Sequence, residues 1–202
     1  MITAPEALER LRDGNRRFVE SQAIPTSTAS GVRRAIQMAT QEPFAIILGC
    51  SDSRVPAELV FDQGFGDLFV IRVAGNIVAP SQIGSVEFAA AQFGTRLVVV
   101  LGHSLCGAIT ATLAELRGQS TTNSRNLRSI VNRVMPAVKG VLANGRQDDG
   151  TDLVHRAVLA NVRASVDHLR RGSKLLEDLI RRDGLLVVGA YYSLETGVVT
   201  FL

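Results

Sequence analysis

Short, bulky apolar runs alternating with helix-periodic segments predict an α/β protein built around a mostly parallel sheet. Four runs read as strands: Phe44-Ala45-Ile46-Ile47-Leu48, Leu68-Phe69-Val70-Ile71-Arg72-Val73, Leu97-Val98-Val99-Val100-Leu101 and Leu185-Leu186-Val187-Val188. Between the second and third, Ile83, Val86, Ala90 and Phe93 recur at helical spacing and predict a crossover helix. Right-handed crossovers and a strand order 2-1-3-4 are expected, and a hairpin over residues 191–202, turning at Glu195-Thr196-Gly197, adds an antiparallel C-terminal edge strand. Helices flank this sheet, and residues 1–40 are expected to form an N-terminal helical arm. At 202 residues, 46% of them hydrophobic, the chain is long enough to bury one core, so a single domain over 1–202 is expected.

Each remaining element has its own local reason. Thr3-Ala4-Pro5-Glu6 reads as a capping box that opens an amphipathic helix with Leu8, Leu11 and Phe18 on its apolar stripe. Ser21 to Gly31 is too small and polar to pack alone, which fits either a surface connector or an arm clasping a second subunit. A short helix is expected from about Val32 to Thr40, and a helical turn over residues 55–61. Cys106 to Leu116 predicts another helix; Leu127, Ile130, Val131, Val134, Val138 and Val141 mark the next, bent at Pro136. Residues 144–150 read as a loop. Val158, Val162, Val166 and Leu169 mark a further helix, and Ser173 caps a last one that ends at Gly184.

Charge excludes some partners. The net charge is only +3 and the arginines are spread along the chain rather than gathered in a stripe, which argues against nucleic acid as a partner. No apolar run approaches the ~20 residues of a membrane span, and Met1 to Glu6 lacks a basic and apolar leader, so a cytoplasmic protein with no membrane association is expected. The two cysteines could in principle form a disulfide; in a reducing compartment, metal binding or catalysis is the better use of them.

The chemistry concentrates after two of the strands. The first is followed by Gly49-Cys50-Ser51-Asp52-Ser53-Arg54 and the third by Gly102-His103-Ser104-Leu105-Cys106-Gly107. In order 2-1-3-4 these strands are neighbours whose carboxyl ends flank the point where strand order reverses, the usual place for a site. Cys50, His103 and Cys106 therefore converge. Two sulfurs and an imidazole suit Zn²⁺, and three protein ligands with a vacancy are the pattern of a catalytic rather than a structural site. Asp52 is the nearby group that could fill or guard the fourth position. His155 and His168 fall in a later helix and read as surface residues.

Cys50-Ser51-Asp52-Ser53-Arg54 coupled to His103-Ser104-Leu105-Cys106-Gly107 resembles the β-class carbonic anhydrases. The resemblance extends through Phe61 to Phe69, Arg72-Val73-Ala74-Gly75-Asn76 and Gly189-Ala190-Tyr191-Tyr192. It implies one Zn²⁺ per chain on Cys50, His103 and Cys106, and reversible hydration of CO₂ to bicarbonate and a proton by zinc-bound hydroxide. It implies an Asp52–Arg54 pair beside the metal, Asp52 accepting a hydrogen bond from the hydroxide and Arg54 keeping Asp52 off the zinc. It also implies Gln41 as the substrate-orienting residue, Phe69, Ala74 and Phe88 as an apolar pocket wall, and the Gly107 N–H as a donor to bicarbonate. A homodimer or dimer-based tetramer with a shared cleft is implied as well. Without the resemblance, Asp52–Arg54 reads equally as a turn salt bridge, Gln41 as a solvated loop residue, and Phe69 and Phe88 as core.

Two positions depart from the family pattern: Val73 stands where many members have Asn, and Ile47 where allosteric members have Trp. With no Trp in the chain and Gln41 present, the constitutively open kind is expected. Two thiolates cancel the charge of the ion and leave its water harder to ionise, so activity should favour alkaline pH. The rival readings are a same-fold hydrolase of carbonyl sulfide or carbon disulfide, and a non-catalytic zinc-binding regulatory module. A cysteine phosphatase is excluded, since Cys50 and Arg54 enclose three residues where that chemistry needs five.

Overall fold

The computed structural model describes residues 2–21, 41–119, 124–143 and 150–202. The connector over 22–31, the short helix expected over 32–40 and the loop over 144–149 lie outside the described residues. The elements are α1 (Ala4–Val19), β1 (Ala45–Gly49), α2 (Ala57–Val60), β2 (Leu68–Arg72), a 3₁₀ turn (Ala74–Asn76), α3 (Pro80–Gln92) and β3 (Leu97–His103). They continue as α4 (Gly107–Leu116), α5 (Arg125–Ala143), α6 (Gly150–Arg171), α7 (Lys174–Arg182), β4 (Leu186–Tyr192) and β5 (Val199–Phe201). No described helix is long and apolar enough to cross a membrane.

The sheet order is β2-β1-β3-β4-β5, with the first four strands parallel and β5 antiparallel to β4. The central strands β1 and β3 are buried along their whole length, which is why they read as continuous apolar runs rather than as alternating ones. Their side chains still alternate between faces. Ile46, Leu48, Val98 and Val100 pack under α3, α4, α5, α6 and α7, whereas Ala45, Ile47, Leu97, Val99 and Leu101 pack under α1 and α2.

Two boundaries differ from the sequence expectation. β3 runs on to His103 and β4 to Tyr192, because Gly102 pairs with Tyr191 and His103 with Tyr192. Tyr191 and Tyr192 therefore belong to a parallel central strand, and the antiparallel return begins only at Val199. Helix α5 continues through Pro136.

Helix α1 begins with the expected capping box: Glu6 N–H donates to Thr3 Oγ1 at 3.4 Å and Thr3 N–H to Glu6 Oε2 at 2.7 Å. Its stripe of Ala4, Ala7 and Leu11 is buried on the second face of this chain's own sheet. Asn15 extends that stripe as a polar anchor. Its Nδ2 donates to Val60 O (3.0 Å) and Gly197 O (2.9 Å), and its Oδ1 accepts from Val199 N (2.8 Å), joining α1 to α2 and to the start of β5. Arg17 adds an ion pair to the buried Asp62 at 2.6 Å.

Because truncating Asn15 orphans two carbonyls and one N–H in a dry place, Asn15→Ala should destabilise the fold by about 2–4 kcal/mol. Urea unfolding measures this. A loss within about 0.5 kcal/mol, as at an ordinary surface site, would mean that the three hydrogen bonds do not anchor α1.

Candidate active site

The site lies where the carboxyl ends of β1 and β3 meet. Chain order runs from β1 out to the edge strand β2 and back to β3 on the other side, so this is the reversal point of the sheet. Gly49 pairs with Leu101, which sets Cys50 beside the last turn of β3. His103 closes β3, and Cys106 is the N-cap of α4. The connecting turn is pinned from β4 and its following loop: Ser104 N–H donates to Tyr192 O (2.9 Å) and Leu194 N–H to Ser104 Oγ (2.9 Å). Leu105 takes a left-handed conformation there, φ 56°.

The predicted trio comes together. Cys50 Sγ, a His103 ring nitrogen and Cys106 Sγ lie within 4.8 Å of one another, and all three residues are buried. His103 Nδ1 is 2.8 Å from Ser104 O; since a carbonyl only accepts, Nδ1 carries the proton and Nε2 presents its lone pair to the sulfurs. Nε2 is fully buried without a hydrogen-bond partner. Such an orphan is costly in a folded protein, and a metal ion is the partner that two sulfurs and an unprotonated imidazole nitrogen fit.

The sulfurs themselves ask for a cation. The hydrogen bond from Cys106 pushes the Cys50 thiol down to about 4, helped by the Gly75 N–H against the cost of burial. Cys106 is pushed up by the same hydrogen bond and by burial. Physically, the two sulfurs share one proton, and a divalent ion would take its place. Gly75 N–H donates to Cys50 Sγ at 3.3 Å.

Asp52 and Arg54 form a two-pronged pair. Arg54 Nε donates to Asp52 Oδ1 (2.9 Å) and Nη2 to Oδ2 (2.7 Å), while the Arg54 backbone N–H also reaches Oδ1 (3.0 Å). Asp52 Oδ2 is 3.9 Å from His103 Nε2, at the edge of the same site. Arg54 Nη2 also donates to Leu105 O at 3.5 Å, bridging the two motifs. Sequence reasoning missed Arg72, whose Nε donates to Cys50 O (3.0 Å) and whose Nη2 donates to Asp52 O (2.5 Å). A strand-end arginine carries no signal of such a role beyond its place before Val73-Ala74-Gly75-Asn76.

The pocket residues divide. Ala74 lies next to Gly75 beside Cys50, and Gly107 opens α4 directly after Cys106, its N–H without an acceptor inside the helix. Gln41, Phe69 and Phe88 stand towards the other end of the sheet. Phe69 pairs with Ile46, four residues before Cys50, or about 13 Å along the strand. It clusters with Phe88 and Phe93, ring centroids 6.2 and 6.0 Å away. Gln41 is exposed in a surface pocket with Ile2, Arg10, Phe44 and Phe93. Within one chain these three are not brought to Cys50, His103 and Cys106.

A doubly covered parallel sheet with two sulfurs and an imidazole at its reversal point defines a class of α/β proteins with a candidate metal site there. The carbonic anhydrase family model matches residues 45–199, and the chain belongs to the β-carbonic anhydrase family as a carbonic anhydrase. It is similar to carbonic anhydrase 2 of Mycobacterium tuberculosis, 38% identical over 192 residues that cover 95% of this chain and 89% of that protein. Among solved structures, the β-carbonic anhydrase CcaA superposes with a TM-score of 0.76 at 26% identity, covering 96% of this chain and 91% of that one. CafA of Aspergillus fumigatus superposes with a TM-score of 0.78 at 24% identity, over 91% and 86% of the two chains, and shares the fold.

The Asp52–Arg54 pair has a signature in stability. The Arg54 side chain, and then its backbone N–H, hold the Asp52 carboxyl well below the usual carboxylate range. A lowered folded-state pKa stabilises the fold above the unfolded value of about 3.9 and loses that contribution as pH falls through the folded value. Asp52→Asn should therefore destabilise the metal-free protein more at about pH 7 than at about pH 3. Urea midpoints at the two pH values measure the difference, and equal losses at both would contradict it.

Proposed function

We propose that this chain catalyses CO₂ + H₂O ⇌ HCO₃⁻ + H⁺ with one Zn²⁺ per chain, held by Cys50, His103 and Cys106. The observation that carries the metal reading is the buried, unpartnered His103 Nε2 within 4.8 Å of the Cys50 and Cys106 sulfurs. Zinc bound there would supply a Lewis acid that lowers the pKa of water and makes hydroxide available near neutral pH. Both cysteines are free thiols, which suits a reducing compartment such as the cytoplasm.

The remaining work belongs to the protein. Asp52 stays ionised throughout the working pH range and has lone pairs to accept a hydrogen bond from the attacking oxygen, orienting it towards the carbon of CO₂. Arg54 fixes that carboxylate in place by its two-pronged contact and keeps it from turning towards His103 Nε2. The Gly107 N–H, at the positive end of α4, would receive the negative charge of bicarbonate. Ala74 contributes an apolar wall, which a substrate without charge requires.

Gln41, Phe69 and Phe88 serve, in this reading, the cleft of a second copy of the chain. Phe88 is 53% exposed beside the edge strand β2, and Gln41 is exposed at the far end of the sheet, so both are accessible to a partner. The assembly is a homodimer or a tetramer built from dimers. Sedimentation at micromolar concentration should show no active monomer; an active, purely monomeric species would contradict the shared cleft.

Two substitutions separate holding the metal from using it. Cys106→Ala should lose nearly all zinc, because two remaining ligands hold it poorly. Arg54→Ala should keep its zinc yet lose about 100-fold in kcat/KM, since a freed Asp52 competes for the position that water must take. Raising the pH should restore part of that loss. Metal analysis with stopped-flow CO₂ hydration tests both, and either full zinc retention by Cys106→Ala or normal activity of Arg54→Ala at neutral pH would overturn the assignment concerned.

A further inference from the structure

The donor to Cys50 Sγ, the Gly75 N–H, sits in a tight turn closed by one backbone hydrogen bond, Asn76 N–H to Val73 O at 3.0 Å. In the turn Ala74–Asn76, Gly75 (φ 71°) and Asn76 (φ 43°) are successive left-handed residues, a conformation that persists only when its surroundings determine it. The side chains that hold its two carbonyls come from α6. Asn161 Nδ2 donates to Gly75 O at 2.9 Å, and Ser165 Oγ donates to Asn76 O at 3.2 Å. Both residues are buried, 3% and 5% exposed, and a spacing of four puts them on one face of the helix.

Helix α6 reaches the turn because two strand residues lack side chains. A Cβ added at Gly102 of β3 would lie 2.5 Å from Val162 Cγ2, and one at Gly189 of β4 would lie 2.8 Å from Val162 Cγ1. The helix therefore rests directly on the backbone of β3 and β4. On its other side the turn abuts α4, where a Cβ at Gly75 would lie 2.9 Å from Ala108 Cβ. Gly75 is thus held between the helix that begins at the ligand Cys106 and the helix that carries Asn161.

We infer that Asn161, seconded by Ser165, is a positioning residue for the metal centre: it holds the Gly75 N–H on the Cys50 sulfur and so sets how much charge that sulfur donates to the metal. The inference rests on the metal reading above. Hydrogen bonds to a ligating sulfur withdraw electron density from it and tune the metal it binds. With two sulfurs already cancelling a divalent charge, weakening one donor leaves the ion a stronger Lewis acid. A helical asparagine in an apolar interface is tolerated because its amide has this carbonyl to bind.

The test uses the full-length protein loaded with Co²⁺, whose sulfur-to-metal charge-transfer absorption reports the electron richness of the thiolates. Asn161→Leu keeps the volume and removes the donor. It should bind one cobalt per chain with the absorption moved to longer wavelength, and its zinc form should lose about tenfold in kcat. Asn161→Gln, which retains an amide donor, should move the band back towards wild type. Ser165→Ala should shift it in the same direction as Asn161→Leu but by less, and it serves alone if Asn161→Leu does not fold. Loaded variants with the wild-type spectrum, however much less stable, would overturn this inference and leave Asn161 a packing residue. A wild-type chain that takes up no cobalt or zinc would overturn the metal reading and this inference with it.

Discussion

Two sulfurs in a dry crevice cannot both be negative without a cation between them, and the surrounding structure is organised about that constraint. Without a metal they share a proton, so that one sulfur is strongly acidic and the other is not. The parallel ends of β1 and β3 force this proximity, because Gly49 and Leu101 are locked in register and the ligands follow within a few residues. Negative charge in the site is then distributed over neutral donors and a cation at its rim. Gly75 N–H shares the charge of Cys50, and Arg54 holds the carboxylate of Asp52 at the edge.

The sheet and the three candidate ligands were legible in the sequence because both are written locally. A buried central strand is a continuous apolar run, and a ligand-bearing turn places unusual side chains directly after it. What escaped notice depends on partners distant in the chain. The extension of β3 to His103 requires β4 alongside, and the docking of α1 hinges on Asn15, a polar residue that reads as solvent-facing in a helical stripe. Asn161 acts on a carbonyl 86 positions away, and Arg72 on carbonyls of the Cys50 turn; neither residue type announces a backbone acceptor. The pocket residues Gln41, Phe69 and Phe88 are a different case. They were named through family resemblance, and their separation from the ligands in one chain turns them from a local wall into a reason to consider two chains.

The anchoring of α1 also bears on the order in which the molecule assembles. Asn15 receives its last hydrogen bond from a residue 184 positions later, and one of the others reaches 182 positions ahead. At typical rates of synthesis, roughly 5–20 residues per second, these partners leave the ribosome about 10–40 s after Asn15 does. The strands and helix that cover the apolar stripe of α1, residues 45–101, emerge well before then, but its hydrogen bonds to Gly197 and Val199 stay unmade through that interval. The final anchoring of α1 thus waits until residue 199 has left the ribosome, and a nascent chain stalled before it holds Asn15 without its partner at the start of β5.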